Sequence, residues 1–310
     1  MLTPRGNTDP LEGRFDRLDR PGRAIAGLAR RPLWPVLAMV LLTVALAWWF
    51  LLEMAGSVAI LEGSARALGP GMSVIAPLLP IEPGSFAATL ADLCLSGGAA
   101  VGRLAVTSVP AGLALFAMWL AMAAAMMLPT AAPMIRTYAE IADTAAGRGE
   151  PVVHPLMLTA GYLAVWAAAA ALFALVQILV GRFADGSAST PVGGATAGVI
   201  LLVAGAYQFT PLKEACLSKC RNPFTTLFAR WRTTTPGVFR LGIEQGLWCL
   251  GCCWALMLIM LAVGSMNVVW MAALTVFTFV EKTGAGRVTT RAGGAIVAAW
   301  GAVLLGAALT

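Results

Sequence analysis

Five of the six cysteines in this 310-residue chain fall in two tight groups. Cys216 and Cys220 lie in a segment opened by Thr210-Pro211 and closed by Asn222-Pro223, which reads as an N-cap, a first helical residue and a stop. Four residues apart on one helix, the two thiols share a face. The second group is Cys249-Leu250-Gly251-Cys252-Cys253, where Cys249 stands one turn from Cys252 and Cys253. Methionine adds a second sulfur pattern. Met118, Met122 and Met126 recur every fourth residue and run into Met127-Leu128-Pro129, while Cys249, Cys253, Met257 and Met260 form one helical stripe. Thiols with thioethers running deeper suit a soft ion such as Cu(I). The candidate ligands are therefore Cys216, Cys220, Cys249, Cys252 and Cys253, with Met126, Met127 and Met257 as softer partners. Lys213, Lys219 and Arg221 flank the first pair, and their charge is expected to lower the thiol pKa and favour the thiolate that binds metal.

Two other chemistries use the same residues. Cys216-x3-Cys220, a 28-residue spacer and Cys249-x2-Cys252 have the count for a structural Zn(Cys)4 clamp, with a spacer longer than in common zinc fingers. Cys249-x2-Cys252 also has the spacing of a thiol–disulfide pair, although a cytosolic position argues against stable disulfides. Hard or borderline sites are disfavoured because His154 is the only histidine. It reads as an incidental loop residue, and Cys94, alone outside the two groups, reads as structural. There is no Walker loop, no Asp-Lys-Thr-Gly segment and no nucleophile–histidine set. The chain is thus expected to be no enzyme, with redox activity as the alternative, and any energy source to come from a partner.

The elements that must position these sulfurs belong to a membrane protein. Hydrophobic residues make up 59% of the chain and charged residues 12%, against roughly 45–50% and about 25% in soluble proteins. That excludes a soluble globule, a disordered chain and a nucleic-acid-binding domain, so the net charge of +6 is read through topology instead. Seven stretches approach the roughly 20 apolar residues of a spanning helix: 34–54, 109–128, 156–180, 192–209, 244–264, 266–281 and 292–309. The fifth and sixth form one run broken by Gly264-Ser265 and Asn267, and the sixth is short, so six spans are the alternative to seven. The basic N-terminal arm is too long for a signal-peptide n-region, and Trp48-Trp49-Phe50 suits an interfacial belt rather than a cleavage site. Eighteen of the 21 Lys and Arg lie on alternate loops and three on the other side. The N-terminus is then cytoplasmic and, with seven spans, the C-terminus outside.

The expected fold is an all-α polytopic membrane protein. Residues 1–33 form a basic cytoplasmic arm and 34–310 the transmembrane domain. Within it, 55–108 is an outer-surface loop of short helices and 210–243 a basic cytoplasmic loop facing anionic lipid. This topology puts both cysteine groups at the cytoplasmic ends of neighbouring antiparallel spans, at one depth. Glu53, Glu244 and Glu281 fall near span ends, where an interfacial position is the default, and Gln177 is a candidate helix–helix hydrogen bond. Gly194-x3-Gly198 and Gly242-x3-Gly246 read as close-packing sites. The expected partners are the bilayer and a metal donor or acceptor protein.

At these residues the sequence resembles the family of predicted metal-binding integral membrane proteins, the domain-of-unknown-function 2182 family. The likeness covers about residues 110–285. It is carried by Met126–Pro129 with Pro133-Met134, by Gly161-Tyr162-Leu163-Ala164-Val165-Trp166, and by Tyr207–Lys213 leading into Cys216 and Cys220. Cys249–Met257, Gly264, Met266-Asn267, Trp270-Met271 and Glu281-Lys282 complete it. Thr130 replaces the serine expected there and keeps the hydroxyl. The resemblance implies a bacterial metal-binding membrane protein and names no reaction or ion.

Overall fold

The computed structural model describes residues 33–80, 84–91, 109–181, 194–284 and 286–309. The basic arm up to residue 32, Cys94 and the later part of the 55–108 loop lie outside them. Every regular element among the described residues is helical: α1 (Leu33–Leu61), α2 (Met72–Ile75), α3 (Val109–Gly147), α4 (Pro155–Gly181), α5 (Gly194–Tyr207), α6 (Pro211–Arg221), α7 (Pro223–Ala229), α8 (Thr235–Val263), α9 (Val268–Thr283) and α10 (Val288–Leu309).

The described parts of all seven apolar stretches are largely helical. Five helices, α1, α3, α4, α8 and α10, are long and apolar enough to cross a membrane, and a sixth arises if α5 and α6 count as one span bent by 63°. The described part of α5 and the whole of α9 are shorter, about 21 Å and about 24 Å at 1.5 Å per residue, against a core of about 30 Å.

Small residues decide which helices touch. A Cβ on Gly242 of α8 would stand 2.1 Å from the Leu158 carbonyl oxygen, and one on Gly161 of α4 2.1 Å from that of Phe239. The backbones of α4 and α8 are therefore in direct contact, as the Gly242-x3-Gly246 spacing suggests. Gly198 and Gly205 of α5 meet Gly301 and Ala298 of α10 in the same way. Helices α3 and α8 make the two largest contributions to the core, whereas α10 buries only Thr290, Gly294 and Gly301.

Proline shapes α3. Pro129 lies inside the helix and lacks the N–H that would bond the Ala125 carbonyl. The Trp48 indole donates to that oxygen instead, at 3.1 Å, tying α1 to α3. At the far end of α8, Gly264 takes φ 106°, a conformation that L side chains rarely adopt. Asn267 then caps α9 by accepting from the Trp270 amide at 3.1 Å, and its side-chain amide donates to the Pro70 carbonyl at 3.0 Å. The short helices between α1 and α3 thus pack onto the α8–α9 turn. Gln177 accepts from the Trp119 indole at 2.6 Å, the helix–helix bond anticipated for it.

Candidate metal-handling site

Three helices, α3, α6 and α8, bring sulfur together in the bundle interior. Helix α6 begins as its sequence dictates, with Thr210 Oγ1 accepting from the Lys213 amide at 3.3 Å and Pro211 in the first turn. Its two thiols face α8. Cys216 Sγ lies over Gly251, where an added Cβ would stand 2.6 Å from it. The missing side chain at 251 is what lets α6 lie this close.

One turn on, Cys220 Sγ comes within 3.9 Å of Cys252 Sγ. An ion bonded to each sulfur at the ordinary thiolate distance of about 2.3 Å can bridge sulfurs up to about 4.6 Å apart. This pair lies inside that limit.

Cys253 points toward α3, with its thiol 3.5 Å from Met127 Sδ. Its S–H also donates to the Cys249 carbonyl at 2.9 Å, as does that of Cys252 at 3.1 Å. Cys249 is held differently. Its sulfur is 3.1 Å from the Tyr162 hydroxyl of α4 and accepts from the Lys282 ammonium of α9, also at 3.1 Å. Lys282 donates in addition to Thr130 Oγ1 at 2.7 Å, and the Tyr162 hydroxyl donates to the Met127 carbonyl at 3.2 Å. All five clustered cysteines are free thiols, and all but Cys220 are buried. Met126 and Met257 are buried in the core.

The structure therefore joins Cys220 to Cys252 and Cys253 to Met127, and it seats Cys216 against α8 beside them. It does not gather all the sulfurs around one point. Among the described residues, no group of three or more His, Cys, Asp or Glu side chains is arranged to hold a metal ion. His154 is at the start of α4, where its Nδ1 accepts from the Leu156 amide at 3.3 Å.

The charges near the site are arranged otherwise than the sequence suggested. Lys213 turns away from the thiols to form a fully buried ion pair with Glu281 at 2.8 Å, and it also donates to Gln208. Glu281 is thus an internal counter-ion rather than an interfacial acid. Arg221 donates to the backbone carbonyls of Glu281 and Gly286, both at 2.8 Å, and Lys219 is exposed. Burial and then the nearby Cys252 push the Cys216 thiol up. Cys220 is pushed well up, first by its hydrogen bond with Cys252 and then by burial.

The cation that reaches the sulfurs is Lys282, which, with Tyr162, the residue reading left out of the candidate set. Both fell inside the motif blocks of the family resemblance, the one signal that pointed to them.

A family model described as PpoB2, copper chaperone, matches residues 116–304, well over half of the chain. It agrees with the metal-related character implied by the resemblance and carries a different description from the domain-of-unknown-function 2182 family. No curated protein and no solved structure matches.

Proposed function

We propose, from the premise that this chain belongs to the copper chaperone family described as PpoB2, that it is a multi-pass membrane protein that binds Cu(I) as cargo and passes it to a partner. The observation that carries this reading is the approach of Cys220 and Cys252, from two separate helices, to 3.9 Å. Cu(I) is soft and accepts two or three sulfur ligands, so not all five thiols are needed. The ligand set is drawn from Cys216, Cys220, Cys249, Cys252 and Cys253, with Met126, Met127 and Met257 as softer partners. Of the methionines, Met127 is favoured by its 3.5 Å contact with the Cys253 thiol.

The membrane is the bacterial inner membrane, with the thiols toward the cytoplasmic side, where the basic loops lie. The protein performs no reaction on the ion; it holds and releases it, exchanging with a donor or acceptor protein. The family description favours copper over a structural zinc clamp, and the separate pairing of Cys253 with Met127 has no place in a Zn(Cys)4 site.

Elemental analysis of detergent-purified protein after anaerobic Cu(I) loading tests this. Wild type is expected to retain copper through washing, and Cys220→Ser/Cys252→Ser to lose most of it while keeping its elution profile. Copper content unchanged in that variant refutes the assignment, and stoichiometric zinc in place of copper refutes the cargo.

A further inference from the structure

We infer that Lys282 is a specificity-determining residue, whose fixed positive charge biases this site toward a monovalent soft cation and against divalent ions. The inference rests on the copper reading above and goes one step beyond it. Lys282 closes the last turn of α9, and its side chain is buried between α3 and α8. The ammonium donates to Thr130 Oγ1 and Cys249 Sγ. Among the described residues, no carboxylate forms an ion pair with it.

Adjacent Glu281 is committed to Lys213, and that pair cancels to zero net charge. Tyr162 contributes a hydroxyl at the same sulfur. What remains is one uncompensated cation inside the bundle, in direct contact with a thiol that is one helical turn from Cys252 and Cys253.

A cation at that position acts on two things. It favours the thiolates, and that help is the same whichever ion they go on to bind. It also repels the bound ion in proportion to the ion's charge, so a divalent ion feels twice the repulsion of Cu(I). For two ions held by the same thiolates the first effect cancels in the ratio of affinities and the second does not. Burial matters because water and salt would otherwise screen the repulsion.

The test compares full-length protein in detergent with Lys282→Met and Lys282→Arg. Cu(I) affinity is read by competition with bathocuproine disulfonate and Zn(II) affinity by competition with a zinc indicator dye. In Lys282→Met the ratio of Cu(I) to Zn(II) affinity is expected to fall by on the order of tenfold or more, and in Lys282→Arg to stay at the wild-type value. Should Lys282→Met not fold, Lys282→Gln removes the charge while keeping a donor for Thr130, with the same expected fall. An unchanged ratio in the uncharged variant, with both affinities moving together, overturns the inference and reduces Lys282 to a structural donor. Loss of Cu(I) binding by the wild type, or its survival in Cys220→Ser/Cys252→Ser, overturns the copper reading instead.

Discussion

Gly251→Ala adds a single methyl group and probes how the two cysteine-bearing helices are held together. Its Cβ would stand 2.6 Å from Cys216 Sγ and 3.4 Å from Cys216 Cβ. Ordinary carbon–sulfur contact needs close to 1 Å more than the first of these distances. If α6 backs away by about that amount, the Cys220–Cys252 separation of 3.9 Å opens to about 4.9 Å. That exceeds the span of about 4.6 Å that two bonds of about 2.3 Å can cover. Overpacking of this kind costs about 1–3 kcal/mol in stability, small enough for the protein to fold while the sulfurs part.

Cu(I) affinity measured by chelator competition is therefore expected to drop at least tenfold, with the elution profile unchanged. The double variant Gly251→Ala/Cys216→Ala removes the clashing sulfur and leaves only the ordinary 3.4 Å contact. It should bind as Cys216→Ala does alone. Wild-type affinity in Gly251→Ala would mean that the Gly251–Cys216 contact does not set the distance between the outer thiols, and the reasoning would fail.

Two further outcomes test the frame around the site. Lys213→Met strands the Glu281 carboxylate in the interior and is expected to cost about 3–5 kcal/mol; Lys213→Met/Glu281→Leu should recover much of the lost thermal midpoint in detergent, and equal midpoints for wild type and the single variant would show that the pair is not internal. Gly242→Val places a side chain where a Cβ already meets the Leu158 carbonyl at 2.1 Å, whereas Gly112 has nothing within 4 Å. The first is expected to abolish a monodisperse peak in size-exclusion chromatography and Gly112→Ala to leave it intact.

The local features of the site were legible from residue types and spacing. Thr210-Pro211 starts α6 and Asn222 ends it, as capping chemistry requires. The Gly264 break with the Asn267 cap divides the long apolar run into α8 and α9. Glycine spacing marked the α4–α8 and α5–α10 contacts. The number of spans was not legible in the same way. Apolar composition counts stretches, but the bends between helices decide which of them can act as one span, as with the 63° turn from α5 into α6.

Taken alone, the order of residues determined that helices form, that they are apolar enough for a bilayer, and which thiols share a face of one helix. Those properties depend on neighbours within about one turn, so spacing is enough to read them. Only the tertiary structure decided that Cys220 meets Cys252, that Cys253 meets Met127, and that Lys282 rather than Lys213 reaches a sulfur. These depend on how far each helix is rotated and how closely it approaches its neighbour. That geometry is set by contacts between residues far apart in the chain: Gly251 against Cys216, Gly161 against Gly242, and Lys213 locked to Glu281. No periodicity within a single helix encodes it.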